Sequence, residues 1–258
     1  MANITSCESV VQPLPNTGVA TTPSVVGTAT RDTRRRASQC SPRYMDRIQA
    51  GEILTAKLKP NFQNQPNTVI LAISKAGLVV ATTVAGALDL PVGVFYVHQI
   101  TAPTVPSLSL GVVTSAQQCI FNHDILTGLD LSPDARDQSV ATARASLHQA
   151  HAELAPRFFQ TLDIVCQSPT VEDVLLIDDG VALGDDMRAA IAALKQMNPA
   201  LKITVATPVG IADTMKHIAR RVESTITAFV PAVAYQVPKW YESHSALSPS
   251  ELALLTLP

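Results

Sequence analysis

The run Val174-Leu175-Leu176-Ile177 constrains this chain more than any other stretch, because it stops abruptly in two adjacent carboxylates, Asp178 and Asp179. A short continuous apolar run fits a strand covered on both faces, as in a parallel sheet, better than a strand with one wet face. A turn of mostly small residues follows, Gly180-Val181-Ala182-Leu183-Gly184, and then an alanine-rich helix beyond Asp185, Asp186 and Met187. That order puts the acid pair at the carboxyl edge of a strand, where open α/β sheets bind their ligands. Carboxylates left there need water, a cation or a ligand to satisfy them. Twin acids suit a ligand rich in hydroxyls or carrying a metal ion.

The same strand-helix rhythm runs through most of the chain. Tyr44 to Leu58 spaces Ile48, Ile53, Leu54 and Leu58 in a helical stripe. Val69 to Ile73 reads as a buried strand, Leu78 to Leu88 as a helix and Val92 to Val97 as the next strand. The sum is a βαβ unit, which demands a parallel sheet. In the middle third, Ile100 to Pro106 reads as an extended loop, and Ser109 to Thr114 and Cys119 to Phe121 as short strands. One long polar-faced helix is expected from Pro133 to about Phe159, capped near Ser132. The rhythm then resumes with a helix over Met187 to Met197, a strand over Ile203 to Thr207, a helix over Ile211 to Arg220 and a strand over Thr225 to Val230.

With 47% hydrophobic residues the 258-residue chain can bury a substantial core, and a formal charge of −2 gives no basic field for nucleic acid. Its apolar runs are of strand length, far short of the roughly 20 residues that span a bilayer, so a soluble protein is expected. Cys7, Cys40, Cys119 and Cys166 are scattered too widely for a disulfide framework or zinc site and read as free thiols in a reducing compartment. Residues 1–42 are rich in Ser, Thr, Val and Pro, nearly free of acids, and contain Arg34-Arg35-Arg36. They read as a disordered tail before a domain over 43–258. Their composition is also that of an organellar transit peptide, so the expected location is the cytoplasm, or an organelle if the tail is a targeting segment.

Neither a G-x-G-x-x-G after a strand, nor a nucleoside-triphosphate loop, nor a G-x-S-x-G elbow occurs. His148 and His151 lie three apart and read as a solvated helix face. Trp240 and Tyr241 read as packing residues.

Asp178 to Asp186, in the order acid, acid, turn, helix, resembles the signature of the type I phosphoribosyltransferase family. Tyr44 to Gly51 is similar to the opening helix of a bacterial, uncharacterised branch of that family. Ile73 to Gly77 falls where the family places its pyrophosphate loop, and Trp240 to Glu242 and Ser248 to Leu255 resemble the branch's C-terminus. The resemblance covers about Tyr44 to Leu255. It implies an α/β, type I phosphoribosyltransferase-like fold, a mostly parallel central sheet flanked by helices with a small hood. It implies transfer of a ribose 5-phosphate group from phosphoribosyl pyrophosphate with Mg²⁺ to an acceptor that the sequence does not identify, and relatives of this fold commonly pair as homodimers.

Carried over residue by residue, Asp178 and Asp179 would be the catalytic acids, holding ribose and the metal. Gly180, Val181, Ala182, Leu183, Gly184, Asp185 and Asp186 would line the phosphate pocket, and Lys75, Ala76 and Gly77 would face pyrophosphate. His98, at the expected end of the second strand, joins them as a binding residue. The chain departs from the family at the phosphate turn, where Leu183 and Asp186 replace threonines and Asp185 adds an acid. A helix start binds anions through its unpartnered N–H groups, for which carboxylates compete. At about 5 Å and an effective dielectric near 20, each charge pair there adds roughly 3 kcal/mol of repulsion before screening. In the related branch the second strand ends in an Arg-Lys pair, where this chain has His98-Gln99. Ala76 also stands in place of a loop glycine. These departures support an alternative, a non-catalytic member of the fold that senses a ligand or binds a protein. A scaffold without any ligand would tie both acids into internal hydrogen bonds.

Overall fold

The computed structural model describes residues 43–106, 108–116, 118–129, 131–152, 154, 158–159, 170–231, 236–244, 247–248, 251 and 255. The expected tail over 1–42, three of the four cysteines and most of the Ser248 to Leu255 segment lie outside the described residues.

Helix α1 (Arg47–Phe62) opens on a reciprocal cap: Asp46 accepts from the Gln49 amide at 2.8 Å, and Gln49 Oε1 accepts from the Met45 amide at 2.8 Å. Strand β1 (Thr68–Ala72) leads into α2 (Lys75–Leu88), and β2 (Val92–Val94) closes the first βαβ unit. Strands β3 (Val97–Thr101), β4 (Ser109–Thr114) and β5 (Cys119–Phe121) form an antiparallel sheet. A short α3 (His123–Gly128) and the long α4 (Pro133–Ala152) follow. The parallel sheet resumes with β6 (Asp173–Ile177), α5 (Asp185–Met197), β7 (Lys202–Val209), α6 (Ala212–Ala219) and β8 (Ser224–Phe229). A 3-10 turn spans Val237–Trp240.

The main sheet is entirely parallel, in the order β2-β1-β6-β7-β8. Its central strands alternate their side chains between two cores, as a period of two requires. Ile70, Ala72, Leu175 and Ile177 pack with Leu54 and Leu58 of α1 and Leu78 and Val84 of α2. Val69, Leu71, Val174 and Leu176 pack with Met187, Ala190 and Leu194 of α5. Helices therefore cover both faces, and the continuous apolar runs at β1 and β6 are explained. The expected α/β fold class stands, with the antiparallel sheet and α4 as the added hood.

Several boundaries differ from those read in the sequence, and three of them matter most here. The strand expected over Val92 to Val97 divides: β2 pairs with β1, whereas Val97 already pairs antiparallel with Thr114 in β4. His98 and Gln99 thus lie inside the second sheet rather than at an end of the first. The Pro133 helix ends at Ala152 rather than near Phe159. Lys75, Ala76 and Gly77, expected as a loop before a helix at Leu78, are instead its first turn.

In a sheet of this order β1 connects to β2 on one side and β6 to β7 on the other, so the connections diverge between β1 and β6. That divergence opens a crevice at the carboxyl ends of these two strands, the usual ligand site of doubly wound sheets.

Candidate functional site

Register places Ala72 of β1 beside Ile177 of β6, so Ser74 and Asp178 emerge side by side at that crevice. Ser74 serves two partners. Its Oγ caps α2 by accepting from the Gly77 amide at 2.8 Å, and its hydroxyl donates to Asp178 Oδ1 at 2.6 Å. Asp178 Oδ1 also accepts from the Asp179 amide at 3.0 Å. Gly77 makes this approach possible, since a Cβ there would sit 2.7 Å from Asp178 Oδ1 and 2.8 Å from its Cα. The glycine is a packing requirement of the site. Burial first, and then the neighbouring Asp179 charge, push the Asp178 carboxyl well above the usual carboxylate range, against the two hydrogen bonds that lower it.

Asp179 has a different environment. Its Oδ2 lies 3.1 Å from Arg47 Nε and 3.2 Å from His244 Nε2, and its side chain is only 10% exposed. Arg47 is itself buried, with Nη1 3.6 Å from the fully buried Glu251 and Nη2 donating to the His244 carbonyl at 2.8 Å. Tyr241 donates its hydroxyl to the Asp179 carbonyl at 2.5 Å, and burial raises the pKa of that phenol. Asp179 is the centre of an ionic clasp between α1 and the C-terminal segment. The two adjacent acids are therefore not equivalent: Asp178 sits half-buried at the crevice, while Asp179 is committed to the interior.

The turn after the acids is fixed from beneath. Val181 donates to the Val209 carbonyl at 2.8 Å, Ile211 donates back to Val181 at 3.0 Å, and Thr214 Oγ1 holds the Ala182 carbonyl at 2.6 Å. Gly180 leaves no room for a side chain, a Cβ there falling 2.5 Å from Val237. Gly184 precedes α5 with φ +76°, a left-handed conformation that favours glycine, and caps the helix without any side-chain bond. The start of α5 thus takes no bond from a capping side chain, the condition in which a helix start can bind an anion.

The acids expected to spoil this turn have partners of their own. Arg188 donates one N–H to the Leu183 carbonyl at 2.9 Å and another to Asp185 in a short ion pair. Asp186 accepts from the Gln99 side chain, and burial, followed by the Asp185 charge, raises its pKa. Leu183 is 78% exposed and fills no pocket. An open cleft of about 550 Å³ adjoins Asp186 between β3 and α4, with His98 and Gln99 on its wall. It neighbours the crevice without including Asp178 or Lys75. The structure thus brings Lys75–Gly77 and Asp178 together at one crevice and the turn 180–184 beside it, and sets His98 and Asp186 on the adjoining cleft.

Arg47, Ser74, Arg188, His244 and Glu251 were not singled out from sequence. Arg188 was accessible, three residues after Asp185 on a helix. Ser74 also carried a signal, as a serine three residues before Gly77 at a helix start. Nothing local betrayed Arg47 or Glu251, whose partners are 132 and 204 positions away. His151 departs from the solvated reading: it is half-buried, 3.0 Å from Ser115 Oγ, with its ring against Phe159. Trp240 and Tyr241 pack in the third core cluster with Tyr44, as expected.

Among the described residues no three His, Cys, Asp or Glu side chains converge on a metal site, and no helix is long and apolar enough to cross a membrane.

No family model matches the chain. Among curated proteins it is 26% identical, over 209 residues, to a Mycobacterium tuberculosis protein named "Putative phosphoribosyl transferase", found in two strains; the match covers 81% of this chain. The chain spans about half the length of these relatives, the match covering 45% of each. Among solved structures, TT1426 from Thermus thermophilus superposes with a TM-score of 0.60 at 25% identity, covering 83% of this chain and 97% of that one. The resemblance to phosphoribosyltransferases is thus borne out in sequence by the mycobacterial proteins so named, and the expected α/β class by the parallel sheet flanked by helices.

Proposed function

We propose that this chain binds phosphoribosyl pyrophosphate at the β1–β6 crevice and transfers its ribose 5-phosphate group to an acceptor. The observation that carries this reading is the half-buried place of Asp178 at the switch point of the sheet, beside the start of α2; both acids do take internal bonds, Asp178 from Ser74 and Asp179 from Arg47, as a scaffold without a ligand would hold them. Asp178, at the crevice, accepts from the ribose hydroxyls. Lys75 and the first amides of α2 face the pyrophosphate, and the turn 180–184 with the start of α5 takes the 5′-phosphate. The acceptor nucleophile forms its bond to the ribose C1 as the C1–O bond to pyrophosphate breaks. Pyrophosphate departs with the electron pair, and the acceptor's proton goes to solvent.

Asp178 and the N–H groups at the two helix starts would help stabilise charge developing on the leaving group and the ring, an electrostatic task. With Asp179 committed to Arg47, the described residues at the crevice offer too few side-chain oxygens for a resident ion. The crevice fits a Mg²⁺ that arrives on the substrate and keeps most of its ligands from phosphate and water. Asp178 would be the side chain nearest that ion, which when bound neutralises pyrophosphate charge.

A second reading, ligand binding without transfer, is favoured by Leu183, Asp185 and Asp186 in the phosphate turn. Titration calorimetry with phosphoribosyl pyrophosphate and Mg²⁺ tests both. The expected result is saturable binding by the wild type and at least a tenfold loss in Asp178→Asn. Absence of heat with the wild type refutes both readings. Binding with no pyrophosphate release, across a panel of nitrogenous acceptors, selects the second.

A further inference from the structure

The chain passes from the parallel sheet to the antiparallel one within two residues. Val94 pairs with Ala72 of β1 and Val97 with Thr114 of β4, so the change of sheet falls on Phe95 and Tyr96. Tyr96 is held there by Ser115, at the turn between β4 and β5. The Ser115 amide donates to the Tyr96 carbonyl at 2.9 Å, and Ser115 Oγ accepts from the Tyr96 amide at 2.8 Å. His151, in the last turn of α4, reaches the same hydroxyl with Nε2 at 3.0 Å. Its ring lies against those of Tyr96 and Phe159, with centroids 5.7 Å and 4.6 Å away.

The hydroxyl has one proton to give and two acceptors in reach, His151 Nε2 at 3.0 Å and the Tyr96 carbonyl at 3.4 Å. The carbonyl already takes the Ser115 amide, so the ring nitrogen is the better acceptor. Only a neutral imidazole can accept; an imidazolium donates from both nitrogens. Protonation would therefore turn the hydroxyl onto the occupied carbonyl and place a charge between two aromatic rings. Burial first, and then the His148 charge, hold the ring's pKa below the ordinary 6.5. Of the described groups around it, Tyr96 brings a phenol and Phe159 no charge. On α4, two turns back, Arg144 donates to Cys119 Sγ on β5 at 3.7 Å. The carboxyl end of α4 itself favours a cation, so the ring's own titration belongs to the test.

We propose that His151 is a proton-sensitive latch: the neutral ring holds Ser115 on Tyr96 and so fixes the hood to the parallel sheet, and its protonation loosens β3 at the crossing. β3 carries His98 and Gln99 to the cleft beside Asp186, so that wall of the cleft loosens with it. The loosened hood binds the proton more readily than the latched one. Acid therefore favours loosening from about pH 6.5 downward, until the lowered value is passed. The latch stands whether or not the crevice binds phosphoribosyl pyrophosphate.

The test compares the whole chain, wild type, with His151→Gln, which keeps an acceptor that does not titrate. Imidazole resonances give the titration of His151. Amide exchange, corrected for its intrinsic pH dependence, gives protection at Tyr96, at Val97 to Thr101 and, as the reference, at Leu175 and Leu176 of β6. Between pH 7.5 and pH 5.0 the wild type is expected to lose about fivefold in protection at Tyr96 and along β3 relative to β6, the worth of one net hydrogen bond. His151→Gln should show no such selective loss. A His151 ring titrating at or above the ordinary 6.5, an equal fall in β3 and β6 of the wild type, or the same selective fall in His151→Gln would each overturn the latch. Should His151→Gln fail to fold, Ser115→Ala takes its place. With no hydroxyl to turn, Tyr96 should already be poorly protected at pH 7.5, and a further selective fall in acid would overturn the latch equally.

Discussion

Removing the guanidinium of Arg47 should unfold the clasp that joins α1 to the C-terminal segment. Arg47 is 3% exposed and stands between Asp179, at 3.1 Å, and Glu251, at 3.6 Å, the latter fully buried. Arg47→Ala leaves these two carboxylates without their shared cation and the His244 carbonyl without its 2.8 Å donor. Breaking one side of a buried pair costs about 3–5 kcal/mol, most of it the uncompensated charge left behind. For a domain of this size that is a fall in Tm of roughly 6–20 °C. The exposed pair of Lys216 with Asp213, at 3.4 Å, is the control: Lys216→Ala should cost less than about 1 kcal/mol. Urea denaturation at pH 7.5 measures both. The triple variant Arg47→Met/Asp179→Asn/Glu251→Gln removes all three charges together and should recover at least half of the single variant's loss. A single variant within about 1 kcal/mol of wild type, or a triple variant less stable than the single, would refute the charge argument.

Ser74→Ala removes the α2 cap and the Asp178 bond at once. It should cost about 1–3 kcal/mol in denaturation, and less in an Asp178→Asn background where the charged acceptor is gone. Asp178→Asn should itself have a pH-dependent effect. The Asp178 carboxyl holds its proton more tightly folded than unfolded, because burial and Asp179 raise its pKa above the ordinary 3.8. Wild-type stability therefore falls as pH rises from the unfolded value through the raised folded one. Asp178→Asn should be the more stable protein at pH 7.5 and lose that advantage below about pH 4, where both forms are neutral; equal differences at the two pH values in urea midpoints would contradict this.

The parallel sheet was readable in the sequence because its strands carry their signal locally. Val69 to Ile73 and Val174 to Ile177 are too apolar for a half-wet strand, and each is followed by a helix start. The acid pair was readable for the same reason, since it interrupts the second run. What Asp179 does was not, because its partners Arg47 and His244 come together only when α1 and the C-terminus fold over the sheet. The division near Tyr96 was equally hidden: Val92 to Val97 is one β-type run, yet Ser115 Oγ accepts the Tyr96 amide at 2.8 Å and pulls the chain into the second sheet. Gln99 beside Asp186 is a third such case, a contact between two sheets' worth of chain.

The phosphate turn is where sequence and structure give different weights to the same residues. In the sequence Asp185 and Asp186 add two negative charges at a helix start that the resemblance assigns to a phosphate. In the structure Asp185 is paired with Arg188, which also holds the Leu183 carbonyl at 2.9 Å, and Asp186 faces away into a cleft with Gln99. The net charge that a 5′-phosphate would meet, if bound as proposed, is then set by Arg188. Arg188→Ala should weaken phosphoribosyl pyrophosphate binding by about tenfold, since an unpaired Asp185 then repels the phosphate. Asp185 is exposed and Arg188 half-buried, so loss of the pair should cost about 1 kcal/mol of stability. If charge is the cause, Arg188→Ala/Asp185→Asn should bind nearly as well as wild type, and the tenfold loss should shrink in high salt. If instead the double variant is as weak as Arg188→Ala alone, Arg188 contributes through the Leu183 carbonyl and the shape of the turn. The electrostatic account of how this chain tolerates acids at its phosphate turn would then be wrong.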